Sequence, residues 1–534
     1  MKRILTITFS LLCCACLYAQ NGINQSVEVS NEYQSRLSDL KKGNVEMNVP
    51  DSLLHFDYSF DYSVFDSPYK GAYEFSPYFI KLNPSKSVYD GKKLFIRAGA
   101  GYSLNPEIDF WWSAVQKENF YVSVFNNGSG FWGEYTYMPG DPSSETYSGH
   151  DASDNLGVLA GWVNKYSKVS LKAGWDGIFS KSPSWKSGMN SVYATLGVKA
   201  KNDSPSFFYY DFNLGYRYTN DCFGELGAMN VSDVSLFGSV GPVIQRKFRL
   251  LIDFKADFEN IRDGHPDMDD AKMFLLNATP HLKFALGPVS LDAGVKVDFS
   301  SSDEKLFSLS PAVTASMSLV KDKLEMYAGF VGGQTLHDYY SLKAQNHFHI
   351  RTADSPTVSQ TRYNAYVGFK GTLGKGFDYD LSGGYMDVDS GATPYMTYLK
   401  ADFSKAFVDL SLAYRNERIN FDMNAEFVPY STLQKDILSF SSPKFKGDAR
   451  FVYNWSRRIY AGVWVGWMSA RKSRSETFSS LPFYISPGVY GEYMFSDAFG
   501  VWVEGGNLLG HKIYTTPGYS HKGPYFTLGI SYKL

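Results

Sequence analysis

Two short stretches of the sequence contain side chains of the types that bind metal ions. His347 and His349 flank Phe348, so in an extended strand both imidazoles would lie on one face, close enough to share a metal ion. The run 263–270 contains four aspartates, but their spacing differs from that of the regular calcium-binding loop. The histidines have no third ligand near them in the sequence, and solvation accounts for the acidic run. We therefore predict no metal site.

The sequence also lacks the residue patterns that are typical of catalysis. It contains no Ser/His/Asp constellation, no nucleotide-binding loop and no paired-carboxylate signature. We therefore predict no catalytic residue, no cofactor and no enzyme activity. The formal net charge is only −2, which gives no reason to expect a nucleic acid as a partner.

The first 19 residues have the features of a cleavable export signal. Lys2 and Arg3 provide the positive end, an apolar core follows, and a small-residue cleavage site ends at Ala19. After cleavage Cys222 is the only cysteine, so no intrachain disulfide is expected. Beyond the signal, no stretch approaches the roughly 18–20 apolar residues that a membrane helix requires.

Apolar and polar residues alternate along most of the remaining chain, which indicates β-strands with one apolar face. In the run 289–299 the odd-numbered residues are apolar and the even-numbered residues are polar or small. The C-terminal run 526–534 alternates in the same way. A soluble array of β-sandwiches would show the same alternation, but the export signal and the number of hairpins favour a membrane barrel. The aromatic content of 17% agrees with this interpretation.

Short and long connections alternate along the chain, and this alternation sets the strand count. Tight turns are predicted at positions such as Gly241-Pro242 and Gly287-Pro288, with long polar connections between them. The run 395–414 is predicted to be one strand with a one-residue bulge, because its apolar phase changes. The prediction is an all-β fold, a transmembrane antiparallel up-and-down β-barrel of about 22 strands over residues 93–534. We expect it in the outer membrane, surrounded by lipid, with both termini periplasmic.

Several segments resemble TonB-dependent receptors, in the form that is common among Bacteroidota. The run 506–519 followed by 525–532 is similar to the closing hairpin of those barrels, and the run 364–385 is similar to their internal hairpins. The resemblance covers roughly residues 93–534, and it implies a barrel that transports a nutrient, without indicating the substrate. The last residue, Leu534, differs from the Phe or Trp that ends many such barrels.

The resemblance does not extend to the N-terminal side of the barrel. TonB-dependent receptors carry a plug domain of more than about one hundred residues, whereas residues 20–92 form a short extension without plug-like sequence. The extension contains a possible TonB-box-like or partner-docking segment, Val27, Glu28 and Val29. It also contains aromatic residues that could fill the lumen as a substitute plug, namely Phe56, Tyr58, Phe60 and Tyr62.

Two functions from different classes are consistent with these features. The first is nutrient transport, with the lumen closed by a partner lipoprotein or by the protein's own connections, such as 127–154 and 338–360. The second is a non-transporting scaffold, an accessory subunit of an outer-membrane assembly or secretion complex. The expected partner is therefore a lipoprotein lid, an assembly subunit or TonB. Four aromatic residues in the first long connection could cap the lumen, join the outer aromatic girdle or stack on a sugar: Phe131, Trp132, Tyr135 and Tyr137.

Overall fold

The computed structural model describes most of residues 93–534. The residues that it does not describe within this range are 138–145, 184, 202–207, 224–226, 246–247, 265–268, 303–304, 322, 352–356, 375, 395–397, 434–442, 473–479, 517–518 and 522. The export signal and the extension 20–92, with Val27, Glu28, Val29, Phe56, Tyr58, Phe60 and Tyr62, lie outside the described residues.

The described part of the chain forms 24 β-strands and one helix, α1 (Tyr339–Gln345). The strands of the first half are β1 (Leu94–Tyr102), β2 (Glu107–Lys117), β3 (Phe120–Tyr137), β4 (Thr146–Val163), β5 (Ser167–Lys181), β6 (Lys186–Ala200), β7 (Phe208–Cys222), β8 (Ala228–Gln245), β9 (Phe248–Asp263), β10 (Ala271–Leu286), β11 (Val289–Ser300) and β12 (Phe307–Val320). Those of the second half are β13 (Leu324–His337), β14 (Thr357–Leu373), β15 (Phe377–Pro394), β16 (Tyr398–Arg415), β17 (Ile419–Leu433), β18 (Phe445–Trp455), β19 (Ile459–Met468), β20 (Tyr484–Met494), β21 (Phe499–Gly506), β22 (Ile513–Thr516), β23 (Tyr519–His521) and β24 (Tyr525–Lys533).

Twenty-two of these strands close into an antiparallel barrel, which confirms the predicted fold class and count. Each strand from β1 to β21 pairs with its successor in sequence, except that β21 pairs directly with β24. The last strand, β24, then pairs with β1 in a register that runs from Phe95↔Lys533 to Tyr102↔Phe526. The short β22–β23 hairpin lies outside this ring, and β23 pairs with the end of β3. Among the described residues, no helix is long and apolar enough to cross a membrane.

The two faces of the barrel differ as the alternation predicts. Along β24, Phe526 and Ile530 are each 50% exposed, whereas Thr527 and Ser531 are buried. The same division holds along β11, where Val295 and Phe299 are exposed and Asp298 is buried. A closed sheet has an outer and an inner face, so the exposed apolar side chains lie on the outer face of the barrel. The buried polar side chains line the interior.

The seam between the first and last strands is held by an aromatic and ionic cluster on the inner face. The Trp502 ring of β21 lies over Gly529 and Gly99, where a Cβ atom would come within 2.3 Å and 2.5 Å of the indole, respectively. The guanidinium of Arg97 is 3.6 Å from the centroid of the same ring. Arg97 also pairs with Glu107 of β2 and with Glu504 of β21 at 3.7 Å. The cluster therefore connects β21, β24, β1 and β2.

Two details of the predicted topology are wrong. The pair Gly241-Pro242 lies inside β8, opposite Tyr209 and Phe208 of β7, and β8 continues to Gln245. The run that includes β16 is one strand, as predicted, but the bulges lie in its partners. In the pairing of β15 with β16, the register shifts between Val388 and Gly391, so the extra residue lies in β15. In the pairing of β16 with β17, the register shifts opposite Ala406 and Val408, so the extra residue lies in β17.

The apolar phase of β16 therefore changes for another reason. Ala401 and Phe403 are buried on the same face as Lys405, so they point to the interior, whereas Val408 is exposed on the outer face. The apolar residues move from the inner face to the outer face along one regular strand.

Candidate functional site

The connection between β13 and β14 folds inward, and residues 338–351 are named here the inner segment. Asp338 caps α1 by accepting a hydrogen bond from the backbone N–H of Ser341 at 2.7 Å. Most of the residues that the inner segment contacts belong to β3–β9, which are not neighbours of β13 or β14 in the sheet. The inner segment therefore crosses from its own part of the wall to a distant part.

An apolar patch on the wall receives the first turn of α1. Tyr339 is 0% exposed and packs on a cluster contributed by β5, β6, β8 and β9, with Ala344 and Tyr340 at its edge. The wall members of this cluster are Ile178, Met189, Met229, Val231 and Ile261. Full burial of a side chain of this size stabilises docking by roughly 2–3 kcal/mol.

A buried ion pair lies beside this apolar patch. The Lys343 ammonium is 3.3 Å from the Asp221 carboxylate of β7, and both side chains are 0% exposed. Lys343 also donates to the Ser187 hydroxyl and to the His349 carbonyl, each at 2.7 Å. The Tyr339 hydroxyl donates to the same carboxylate at 2.6 Å, and the Tyr339 N–H donates to Glu259 at 2.7 Å. The charges are therefore paired and hydrogen-bonded, which burial requires.

A stacked arginine joins the second residue of α1 to the wall. The Arg217 guanidinium lies 3.4 Å from the centroid of the Tyr340 ring and 2.5 Å from the Asp176 carboxylate. The Tyr340 hydroxyl donates to the same carboxylate at 3.0 Å. One carboxylate of β5 thus holds both partners of a cation–π pair.

Two residues after α1, His347 and Arg351, also contact the wall. His347 is hydrogen-bonded to Asp151, and its carbonyl accepts from the Ser180 hydroxyl at 2.6 Å. Arg351 pairs with Asp263 at 2.7 Å. The expected extended arrangement of His347 and His349 is wrong, because these residues follow α1 in a turn rather than in a strand. His347 contributes to the docking of the inner segment on the wall, whereas His349 contacts Lys343 and Tyr339 within the inner segment.

Two of the four aromatic residues that were predicted to lie in the first long connection, Tyr135 and Trp132, have different surroundings. Tyr135 is 0% exposed and meets Phe348 of the inner segment, with the ring centroids 5.8 Å apart. This contact agrees with a position inside the mouth of the lumen. Trp132 is partly exposed and stacks on His150 at 5.9 Å. All four aromatic residues belong to β3, which extends well beyond the roughly ten residues that span a bilayer.

Burial changes the protonation chemistry of the inner segment. Burial lowers the pKa of Lys343, although the Asp221 carboxylate opposes this shift. Burial, together with the Lys343 charge, lowers the pKa of His349 to about 3, so this imidazole is neutral at physiological pH. Burial also raises the pKa of the Asp338 carboxyl, against the hydrogen bond that it accepts from Ser341. Three titratable groups of the inner segment are therefore sensitive to whether it is docked.

The described residues contain no group of three His, Cys, Asp or Glu side chains arranged to hold a metal ion. No pattern in the sequence indicates this site directly, because its residues are dispersed over β3–β9. One local signal was available: Asp338 is a favoured N-cap residue, and the helix-forming run 342–345 follows it within a long connection.

The fold is similar to that of several solved receptors. A mutant of the ferric enterobactin receptor PfeA from Pseudomonas aeruginosa superposes with a TM-score of 0.63 at 11% identity, covering 83% of this chain and 80% of that chain. The siderophore receptor PirA from Acinetobacter baumannii gives 0.63 at 10% identity, with coverage of 83% and 80%. The FrpB iron transporter from Neisseria meningitidis gives 0.62 at 11% identity, with coverage of 83% and 81%.

No protein-family model and no curated protein matches the sequence. At these low identities the similarity defines the fold, and this protein has the 22-strand barrel of such receptors. The resemblance of the sequence to receptor barrels is confirmed at the level of the fold. The Bacteroidota type and the missing plug stay predictions.

Proposed function

We propose that this protein is an outer-membrane transport barrel that admits a nutrient through its lumen, and that the inner segment controls the mouth. The observation that carries this proposal is the docking of residues 338–351 on the inner wall through the buried Lys343–Asp221 pair. The receptor-like fold supports it, because the solved neighbours are receptors and an iron transporter.

The chemistry of the docked contact fits a part that moves. The inner segment buries only a few large apolar side chains, such as Tyr339 and Leu342, and is otherwise held by ion pairs and hydrogen bonds. Polar groups exchange their partners for water when they separate, so their net contribution is about 1 kcal/mol per hydrogen bond. A permanent seal would be expected to rely on apolar packing. Docking through polar groups therefore favours a gate over a fixed plug.

The proposed location is the outer membrane, with both termini periplasmic. In that orientation the short turns face the periplasm, and the longer connections, including the inner segment, face the exterior. The inner segment would then narrow the outer mouth of the lumen. Contact of Val27, Glu28 and Val29 with TonB or a periplasmic partner, and lumen filling by the aromatic residues 56–62, remain predictions.

Single-channel conductance of the refolded full-length chain in a planar bilayer tests this proposal. A variant in which a short Gly-Ser linker replaces residues 338–351 should conduct more, because the obstruction at the mouth is removed. The matched control replaces residues 434–442, in another long connection, and should conduct as the wild type does. Equal conductance in all three proteins would contradict the gate and favour the scaffold.

A further inference from the structure

Two carboxyl side chains face each other on the wall directly beneath the inner segment. Asp233 of β8 and Glu259 of β9 are cross-strand partners on the inner face. Directly opposed residues of an antiparallel pair have Cβ atoms about 5 Å apart, and like charges at that distance are destabilising. Asp338 of the inner segment adds a third carboxyl, since the next residue, Tyr339, donates its N–H to Glu259 at 2.7 Å.

Three oxygen atoms of this pair are buried without a hydrogen-bond donor among the described residues. They are Oε2 of Glu259 and both carboxyl oxygens of Asp233. Glu259 as a whole is 1% exposed. An ionised carboxylate in such a position costs far more than a neutral one, because burial removes its hydration and nothing replaces it.

The positively charged groups around Asp233 and Glu259 do not neutralise these two carboxyl groups. Arg217, the neighbour of Asp233 on β7, is 2.5 Å from Asp176. Lys255 is 2.6 Å from Asp257, and Arg351 is 2.7 Å from Asp263. On the inner segment, Lys343 is paired with Asp221. Each nearby cation thus has a close carboxylate of its own, and Asp257 and Asp338 add negative charge.

We propose that Asp233 and Glu259 share one proton while the inner segment is docked, and that loss of this proton releases the inner segment. With one proton bound, one carboxyl group of the pair donates a hydrogen bond to the other. This hydrogen bond involves two of the three oxygen atoms that lack a donor, and the proton removes one of the two opposed negative charges. The proton belongs to the pair rather than to either residue. This inference adds a form of regulation to the proposed gate, and it rests on that proposed function only for its physiological meaning.

The direction of the pH effect follows from linkage. The docked pair holds a proton that the hydrated carboxyls of an undocked state, with ordinary pKa values near 4, would release. Its contribution to docking is therefore complete below about pH 4 and is lost as the pH rises through the higher pKa of the docked pair. Above about pH 6.5, where His349 is neutral in both states, the open fraction should rise about tenfold per pH unit until the pKa of the docked pair is passed, the slope for one proton.

Thiol labelling of the full-length chain reports this opening. Ala344→Cys places a small thiol where Ala344 packs against the apolar cluster, and the natural Cys222 is exposed and serves as the internal reference. The ratio of labelling at the two thiols, read by peptide mass spectrometry, cancels the pH dependence of the reagent. From about pH 6.5 up to the pKa of the docked pair the ratio should rise about tenfold per pH unit, and it should level off above that pKa.

Two variants isolate the pair. Asp233→Asn and Glu259→Gln each remove one charge and supply an amide donor, so each should keep the inner segment protected and flatten the rise. Lys343, which is paired with Asp221, and His349 lie outside the pair, so their pH dependence is the same in all variants and cancels in the comparison. The control Asp211→Asn changes a carboxylate of β7 that pairs with Lys199 at 3.2 Å, and it should behave as the wild type.

A labelling ratio that stays flat to pH 10 in the wild type would overturn the shared proton. So would a rise that persists in both Asp233→Asn and Glu259→Gln. The gate is judged separately by conductance. If labelling responds to pH but conductance does not change when the inner segment is removed, the shared proton stands and the gate fails. If conductance changes while labelling stays flat, the gate stands and the shared proton fails.

Discussion

Replacing Lys343 by Met should release the inner segment. Met keeps the apolar part of the side chain but removes the ammonium that pairs with Asp221 at 3.3 Å. Removing one partner of a buried ion pair typically costs about 3–5 kcal/mol, because the other charge stays buried. Asp221 retains the hydroxyl donors of Ser187 at 2.8 Å and Tyr339 at 2.6 Å, so we expect the lower end, about 3 kcal/mol.

A change of this size increases the open fraction by roughly 100-fold, since each 1.4 kcal/mol is a factor of ten. The labelling ratio of Ala344→Cys to Cys222 at neutral pH measures this change directly. Asp221→Asn should also release the inner segment, because it leaves the buried ammonium without its counter-charge. The double variant should lose less than the sum of the two single variants, since neither charge remains.

A matched control is Lys199→Met, which removes a lysine from a pair with Asp211 at 3.2 Å. The Lys199 side chain is 53% exposed, so solvent screens the pair and its loss should change labelling little. A labelling ratio for Lys343→Met within about twofold of the wild type would refute the reasoning, because it would mean that the pair does not hold the inner segment.

Three further predictions concern pH, the docking patch and the seam. Because burial lowers the pKa of His349 to about 3, the contribution of this imidazole to docking should be lost as the pH falls from about 6.5 towards 3, by up to several kcal/mol. In Asp233→Asn, where the shared proton no longer offsets this loss, labelling of Ala344→Cys should rise over that range, and adding His349→Asn should flatten the rise. Met189→Ala leaves a cavity beneath Tyr339 and should cost about 2–5 kcal/mol, seen as faster labelling without loss of the barrel. Gly529→Ala brings a Cβ atom within 2.3 Å of both Trp502 and the Ala98 carbonyl, so the barrel should unfold at a lower temperature, as read from the loss of the folded band on an SDS gel after incubation at increasing temperatures. The control Gly374→Ala has nothing within 4 Å of the added Cβ atom and tests backbone strain alone.

Much of the barrel could be predicted from the sequence because apolar and polar residues alternate along each strand. This alternation indicates the face of the sheet on which each side chain lies. The alternation in β11 and β24 indicates which side chains lie on the outer face, and the spacing of polar connections indicates the number of strands. The errors arose where the composition or the alternation of the residues is ambiguous. Gly241-Pro242 has the composition of a turn but continues pairing with β7, and β16 carries apolar residues on its inner face near one end.

The candidate site could not be predicted in the same way. Tyr339 meets Asp221 and Glu259, which lie 118 and 80 residues away in the chain. Nothing local to any of these residues specifies the others, because the contact depends on how a connection folds across a closed barrel. The sequence could indicate that His347 and His349 are unusual, but their partners are set by the ring of strands and not by their spacing.

The pairing of β24 with β1 has a consequence for how the protein is made. These strands are separated by more than 420 positions in the chain, so their contact carries the largest loop-closure cost of any pair in the sheet. In the proposed outer-membrane location, a sheet inserted before this contact forms would have two edges whose N–H and C=O groups lack partners in a medium without water. The cluster of Arg97, Trp502 and Glu504 would be completed only when β24 meets β1. Assembly in that location would therefore require a surface that covers both edges until the ring closes, and the seam cluster would then stabilise the closed ring.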